Sequence, residues 1–288
     1  MINSKSNEQI KFIASLKSKK YREKYSKYII EGVKLVGEMM DLEGVAPSES
    51  IVYSKDLLET VAGGKNLLEK IKEEKVPALE VSSEVFKYVS DTETPQGALI
   101  VKNIKHLSTE EKMVKISNII KNNGKFLVLD KVQDAGNLGT IIRSAVTFGI
   151  DSVLCIKGTT DIYSPKVVRS TMGAIEKTNV FYVDEIEFKN ITELLIDSNY
   201  NIVGTDLSAK KYLAELDKKR NIVFIMGNEA NGISDYAKNL CTDLIKIPIS
   251  NTQESLNVAV ATGICLYFDY DKWFYVNFVC LTFDEIMV

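Results

Sequence analysis

The 288-residue chain contains a single histidine, His106. That scarcity removes His–Cys zinc sites, paired-histidine metal motifs and most hydrolase triads, unless His106 serves them alone. The four cysteines, Cys155, Cys241, Cys265 and Cys280, lie far apart and form no C-x-x-C pair. A disulfide framework or cysteine-based zinc site is therefore not expected, nor any other metal, and a reducing cytoplasm fits. Long apolar runs are missing too. No window of about 18 residues is uncharged and apolar enough to span a bilayer, and the nearest approach, Trp273 to Leu281, is too short. The opening Met-Ile-Asn-Ser-Lys-Ser-Asn-Glu lacks the apolar stretch of a secretory signal. A soluble cytoplasmic protein with no membrane partner is the expectation.

What is present is ordinary in bulk: 45% apolar and 26% charged residues, which suits one large domain or two moderate ones. The net charge of −3 gives no global sign of nucleic-acid binding. Its distribution is less bland. Residues 1–30 hold eight Lys/Arg against Glu8 and Glu23, a net +6, with Tyr21, Tyr25 and Tyr28 interleaved. Such an arm could track a phosphate backbone and stack bases. Alone, it reads more simply as a solvated helix face with its tyrosines packed inward.

Residues 1–105 read as a small α/β domain. Ile51–Tyr53 and Gly97–Val101 are expected strands, and Val33 to Leu42 and Asn66 to Lys75 expected helices. A polar linker follows over 106–123, with a helix through Met113 to Ile120 that Asn122-Asn123-Gly124 closes. His106 in this linker reads as an ordinary exposed residue.

A stricter rhythm occupies 124–270. Strands are expected at Phe126–Leu129, Ser152–Ile156, Val180–Val183, Asn201–Val203, Ile222–Met226 and Leu244–Ile249. Helices separate them, including Leu138 to Phe148 capped by Gly149, and a last helix runs through Val258 to Leu266. Alternation of this kind implies a parallel sheet covered on both faces. Ligands then bind beyond the carboxyl ends of the strands, so the loops after Leu129, Met226 and Ile249 are where chemistry belongs. Residues 271–288 form an aromatic-rich tail (Trp273, Phe274, Tyr275, Phe278, Phe283), too apolar to be expected as a free end.

Neither common nucleotide fingerprint occurs in those loops. Gly136-Asn-Leu-Gly139 does not supply G-x-G-x-x-G, and no G-x-x-x-x-G-K-[S/T] run exists. The loops instead hold Asn137, Gly139, Ile141 and Arg143; Gly227, Glu229 and Gly232; and Pro248 followed by Ser255-Leu256-Asn257-Val258-Ala259. Singly, Asn137, Glu229 and Asn257 would read as caps or turn residues.

In this order, each set after a strand, they resemble the N-x-G-x-I-x-R, G-x-E-x-x-G and P-x(n)-S-L-N-V-A motifs of the SpoU (TrmH-like) class of the SPOUT superfamily. Ser164–Ala174 is similar to the class's segment between the first two motifs, though Ser170-Thr171 stands where Ala-Ser is more usual. Tyr28–Val36 and Val89–Gly97 resemble the substrate-binding domain that precedes many of these catalytic domains. The resemblance covers roughly residues 5–268.

The class transfers a methyl group from S-adenosylmethionine to a ribose 2′-hydroxyl of RNA. The resemblance therefore implies an α/β fold: a C-terminal parallel-sheet SPOUT domain with a trefoil knot, preceded by a small ribosomal-protein-like α/β domain that engages RNA. Ribosomal RNA, 23S rRNA first, is the expected substrate. Transfer RNA, or an inactive homologue that only grips RNA, are the alternatives. A homodimer through the catalytic domain is also implied.

Methyl transfer from a sulfonium needs a deprotonated 2′-OH in line with the methyl, but neither metal nor histidine. The resemblance makes Arg143 central, with Asn137, Glu229, Ser255 and Asn257 around it. An arginine, whose pKa exceeds about 12, is an awkward general base. A clamp on phosphate or ribose oxygen that stabilises the forming alkoxide is the more conservative role, and its part in proton transfer stays open. Glu229 could orient Arg143 or the ribose, and Asn137 and Asn257 could fix the 2′-OH or Arg143. For the cofactor the resemblance implies backbone contacts at Gly227, Ile247 and Leu256, with Thr205 nearby. It also moves the basic arm towards RNA contact through Lys17, Lys19, Lys20 and Arg22, joined by Lys166 and Arg169.

Overall fold

Short apolar runs alternate with amphipathic helices along nearly the whole chain, and the residues gather into two units. The computed structural model describes residues 1–279 except 44, 47, 75, 218, 219 and 251–253; for 42, 43 and 271–279 it describes backbone alone. The first unit comprises residues 1–106 and 161–173, the second 107–160 and 174–288. The segment 161–173, expected within the catalytic domain, thus groups with the N-terminal residues.

In the first unit the helices are α1 (Glu8–Ser15), α2 (Lys19–Tyr25), α3 (Val33–Glu43), α4 (Lys55–Leu58), α5 (Gly64–Glu73) and α6 (Ser83–Val89). The strands are β1 (Lys27–Glu31), β2 (Ser50–Tyr53), β3 (Ala78–Glu80) and β4 (Ala98–Asn103), ordered β1-β4-β2-β3. β4 runs antiparallel to both β1 and β2, and β2 runs parallel to β3. Asn7 starts α1 by accepting from the Gln9 and Ile10 amides. Ile10, Ile13 and Leu16 of the α1 region then pack with Val85, Phe86 and Val89 of α6 against Ile29, Val52, Leu99 and Val101 of the sheet.

The second unit opens with α7 (Thr109–Lys121), capped by a reciprocal Ser108–Glu111 box. The expected linker is therefore mostly a packed helix, since Ile116 and Ile120 are buried in the core of this unit. Asn123 closes α7 at φ +54. β5 (Phe126–Asp130), α8 (Ala135–Thr147) and β6 (Ser152–Ile156) follow, with Gly149 at φ +71 ending α8 as expected. The chain then lends α9 (Pro165–Thr171) to the first unit. It returns as β7 (Asn179–Val183), α10 (Glu185–Asp197), β8 (Tyr200–Thr205), β9 (Lys211–Tyr212), β10 (Asn221–Met226), α11 (Asp235–Asn239), β11 (Asp243–Lys246) and α12 (Val258–Val279).

These seven strands form one sheet, ordered β7-β6-β5-β10-β8-β11-β9, and every pairing is parallel. β5 is followed in sequence by its neighbour β6 but flanked on the other side by β10. Strand order therefore diverges between β5 and β10, where open parallel sheets form their binding crevice. One face of the sheet is covered by α7, α10 and α11 through Ile116, Phe188, Ile191, Leu195 and Ala237.

Two expected elements shift. The strand expected to reach Ile249 ends at Lys246, because Pro248 has no N–H to continue a ladder. The last helix runs beyond Leu266 to Val279, so its backbone carries Trp273, Phe274, Tyr275 and Phe278, while Phe283 lies outside the described residues.

Candidate active site

The loop between β5 and α8 must leave a buried strand and enter a helix within four residues. Lys131 makes the turn in the left-handed region at φ +60, a conformation that costs a non-glycine residue about 1 kcal/mol or more. Its carbonyl is held by Asn228 Nδ2 at 2.9 Å. Asp134 then caps α8 by accepting the Asn137 amide at 2.8 Å.

The loop after β10 closes on itself through paired backbone bonds between Asn228 and Gly232, both 2.9 Å. A Cβ at Gly227 would lie 2.1 Å from the Gly232 carbonyl carbon, so only glycine permits this closure. Asn228 Oδ1 also accepts the Ala230 and Asn231 amides, and Ser234 donates its amide to Asp130 Oδ2 at 2.6 Å. The loop is fastened at both ends, and Glu229 stands out from it.

Glu229 is where the loops meet. One carboxylate oxygen accepts the Gln133 amide at 3.1 Å. The other accepts the Asp134 amide at 3.1 Å and Asn137 Nδ2 at 3.0 Å. Asn137 Oδ1 in turn accepts Asn257 Nδ2 at 2.9 Å. Asn257 uses its own Oδ1 to cap α12, accepting from Ala259 and Val260. Burial pushes the Glu229 carboxyl up, but the hydrogen bonds from Asn137 and the Gln133 and Asp134 amides outweigh it and hold the pKa below the ordinary value. Glu229 is thus an anion that fixes a chain of amides, Glu229–Asn137–Asn257.

Three of the five expected catalytic residues are therefore bonded to one another. Glu229 orients the Asn137 amide and two backbone N–H groups; no bond links it to Arg143. Arg143 lies on α8, exposed, and its guanidinium makes no hydrogen bond or ion pair among the described residues. Ser255 is likewise exposed and unbonded among them. Asn228, Gln133 and Asp134, which position the cluster, were not among the expected residues. The Asp134 cap three residues before Asn137 is a local pattern the sequence does display.

Thr205, Gly227 and Ile247 fall at the carboxyl ends of three neighbouring strands, β8, β10 and β11. Thr205 Oγ1 donates to the Ile225 carbonyl at 3.1 Å, tying the first two ends together. Gly227 is buried, Ile247 partly exposed, and Leu256 exposed at 36%. This is an uncharged set with a glycine at the tightest point, which fits an adenosine group read through its base edge. Beside it, Asp206 receives Lys238 at 2.7 Å and the Ser208 amide and hydroxyl. The Lys238 bond above all pulls the Asp206 pKa down to about 2. No group of three or more His, Cys, Asp or Glu side chains suited to a metal ion occurs among the described residues.

The expected RNA contacts divide. Lys19 and Lys20 are exposed on α2, and Lys166 is exposed on α9. Arg169 pairs with Asp91 at 2.8 Å. Arg22 and Lys17 turn inward instead. Arg22 is 4% exposed and donates to Asp161 Oδ2 and to the Leu16 and Lys17 carbonyls. Lys17 donates to the Tyr88 and Ser90 carbonyls, and burial lowers its pKa. The Arg22 guanidinium, buried and bonded to a carboxylate and two carbonyls, faces the protein and not a phosphate. His106 is exposed and hydrogen-bonded to Ser26.

Comparison with known proteins matches two stretches of the chain to family models. Residues 124–267 match the SpoU rRNA Methylase family, and residues 7–100 match the MRM3-like substrate binding domain. The chain is 30% identical over 273 residues to the 23S rRNA (guanosine(2553)-2′-O)-methyltransferase RlmP of Bacillus subtilis, covering 92% of this chain and 97% of that protein. It is 36% identical over 141 residues to the 23S rRNA (guanosine-2′-O-)-methyltransferase RlmB of Coxiella burnetii, covering 49% and 56%. Among solved structures, an AdoMet-bound rRNA methyltransferase from Sinorhizobium meliloti is 26% identical with a TM-score of 0.76, covering 94% of this chain and 97% of that one.

Proposed function

The chain belongs to the SpoU rRNA methylase family, and on that premise we propose that it transfers a methyl group from S-adenosylmethionine to a ribose 2′-hydroxyl of ribosomal RNA, 23S rRNA in particular. The observation that carries this reading is the Glu229–Asn137–Asn257 chain, which joins three separate motif loops at the carboxyl edge of the parallel sheet.

Bound S-adenosylmethionine supplies an electrophilic methyl on a cationic sulfur. Gly227, Ile247 and Leu256 would hold its adenosine part through backbone edges, with Thr205 beside them. Asn137 and Asn257 are fixed by Glu229 and offer oriented amides to the ribose, so its hydroxyl loses little freedom on the way to in-line attack. Among the described residues Arg143 has no side-chain partner, which leaves it available to a phosphate or to the ribose oxygen. There its guanidinium would stabilise the negative charge that builds on the ribose oxygen as the hydroxyl proton passes to water. Ser255, exposed on the same loop as Asn257, adds a hydroxyl at the site.

Residues 1–105 serve as the RNA-engaging domain and 124–270 as the catalytic domain. A homodimer through the catalytic domain is supported by the stripe Val260, Ile264 and Tyr267 on α12, which are 53%, 38% and 60% exposed at a spacing that shares one helix face. Cys155, Cys241 and Cys265 are free thiols, which suits the reducing cytoplasm. Among the described residues no helix is long and apolar enough to cross a membrane.

The test is to incubate the protein with labelled S-adenosylmethionine and undermodified ribosomal RNA, then digest with alkali. A 2′-O-methyl group blocks cleavage of its own phosphodiester, so the label should appear in an alkali-resistant dinucleotide. Failure of wild type to transfer label, or equal transfer by Arg143→Ala, would sink the reading.

A further inference from the structure

Two tyrosines of α2 differ from the buried tyrosines of the protein. Tyr21 and Tyr25 lie one helical turn apart, their rings nearly parallel at 11° with centroids separated by 6.2 Å. Phe12 of α1 meets Tyr25 edge-on at 5.0 Å and fixes the pair from one side. Tyr25 is 38% exposed, Tyr21 is half-buried, and neither hydroxyl has a hydrogen bond among the described residues. Tyrosines that serve the cores are 1% exposed, as Tyr28 and Tyr200 are, and Tyr200 donates its hydroxyl to the Gly124 carbonyl.

The charges over the two rings are basic, and the one acid of α2, Glu23, pairs with Lys19 at 3.7 Å. Lys20 Nζ lies 5.8 Å from the Tyr21 ring centroid and Lys24 Nζ 5.0 Å from that of Tyr25. Both lysines are exposed. The basic neighbour between them, Arg22, is spent on Asp161 and backbone carbonyls, so it takes no part. Stacked aromatic rings left partly in water gain by covering with another flat ring, and the two lysines select a ring attached to negative charge. Bases inside a duplex have both faces covered by their neighbours. Only an unstacked base offers a free face.

We infer that the Tyr21–Tyr25 face of α2, flanked by Lys20 and Lys24, is a stacking platform for unpaired nucleobases of RNA, with the two lysines holding the adjoining phosphates. The choice of RNA rests on the methyltransferase reading above. What is added is the place on the first unit where a single-stranded segment lies, and the tyrosines rather than Lys17 or Arg22 as its contacts.

The experiment uses the full chain and two probes: a single-stranded RNA 12-mer with a central 2-aminopurine, and a fully paired RNA duplex of the same length. Wild type should bind the single strand more tightly and quench its fluorescence, since 2-aminopurine darkens on stacking. Tyr21→Ala/Tyr25→Ala should weaken single-strand binding about fivefold or more and restore fluorescence, while Tyr21→Phe/Tyr25→Phe, which keeps both rings, should behave as wild type. Lys20→Ala/Lys24→Ala should make the dependence of log affinity on log salt shallower by about 1.4, as for two lost phosphate contacts on a single strand. Unchanged quenching in the alanine pair, with S-adenosylmethionine binding intact as the folding control, overturns the inference. Equal affinity for the duplex, or binding to neither probe, overturns it too. Methyl transfer to ribosomal RNA by the same preparation is a separate reading, so the inference can fail while the proposed function stands.

Discussion

The side-chain amide of Asn257 donates to Asn137 Oδ1 at 2.9 Å, joining residues 120 positions apart in the sequence. Because Asn137 is itself held by Glu229 at 3.0 Å, the two asparagines act as one unit. Neighbours that share a hydrogen bond do not contribute independently. Asn137→Ala and Asn257→Ala are each expected to lower kcat by about 10²-fold, the scale seen when an oriented polar contact at a reacting centre is lost. The double variant should be little worse than either single one. Steady-state kinetics on undermodified ribosomal RNA measures all three, and multiplicative losses would show that the bond does not couple the pair.

Glu229 leads to a statement about pH. Its carboxyl is held below its ordinary value of 4.5, so its pKa is depressed in the folded chain relative to the unfolded one. The stabilisation it gives the loop cluster is therefore complete above about pH 4.5 and is lost only as pH falls through the lower folded value. The pH–rate profile should show no inflection from this group between about pH 5 and 8. Glu229→Gln replaces one of the two accepting oxygens with a donor that faces the Gln133 or Asp134 amide. It should cut kcat about tenfold or more with an unshifted alkaline limb. A wild-type inflection near pH 6 that disappears in Glu229→Gln would contradict this account.

How far the sequence alone leads depends on whether a feature is local. β5, β6 and β10 are continuous buried runs, and each motif loop follows a strand end, so their periodicity and punctuation were legible. β1 carries no alternating strand pattern, because Lys27–Glu31 follows a lysine-rich helix and is buried from Tyr28 to Glu31. β3 and the two-residue β9 are too short for any period to emerge. The inward turn of Arg22 was hidden for a different reason. Its partner Asp161 lies 139 positions away, and no local rule distinguishes a basic side chain on a surface from one that caps buried carbonyls. The bond from Asn137 to Glu229 is equally non-local, spanning 92 positions, so no spacing rule points to it.

Gly227 sets the shape of the loop that carries Glu229. A methyl group there would sit 2.1 Å from the Gly232 carbonyl carbon and 2.3 Å from the Ile233 nitrogen, both backbone atoms that cannot swing aside. Gly227→Ala should open the Asn228–Gly232 closure and with it the strand-end cradle proposed for the cofactor. Titration calorimetry with S-adenosylmethionine is expected to show at least tenfold weaker binding, with the bulk of the fold retained in far-ultraviolet dichroism. Wild-type affinity in the alanine variant would remove Gly227 from the cofactor site.

Asp206 should contribute to stability in a defined acid window. Its pKa falls from 3.8 to about 2, chiefly through Lys238, so the contribution is present above about pH 3.8 and fades as pH approaches 2. The pair is partly solvated, with 11% of the Asp206 and 34% of the Lys238 side chain exposed, which limits it to about 1 kcal/mol. Asp206→Asn should therefore lower the denaturation midpoint at pH 6 by a small amount. At pH 2 the two proteins should be nearly equal, and a gap that widened on acidification would show the sign to be wrong.

Arg22 separates a structural cation from an RNA contact more sharply than any other residue of the arm. Its guanidinium is 4% exposed and meets Asp161 Oδ2 at 2.6 and 3.1 Å, with the Leu16 and Lys17 carbonyls at 2.8 and 2.7 Å. Removing one member of a buried, hydrogen-bonded ion pair strands the other charge and costs about 3–5 kcal/mol. Arg22→Met leaves Asp161 and two carbonyls short of donors, and urea denaturation should register a loss of that order. Asp161→Asn keeps an oxygen for the guanidinium and should cost less. The salt dependence of RNA binding, measured below the denaturation range, should keep its wild-type slope in Arg22→Met because no phosphate contact is removed. A shallower slope with unchanged stability would return Arg22 to the RNA surface.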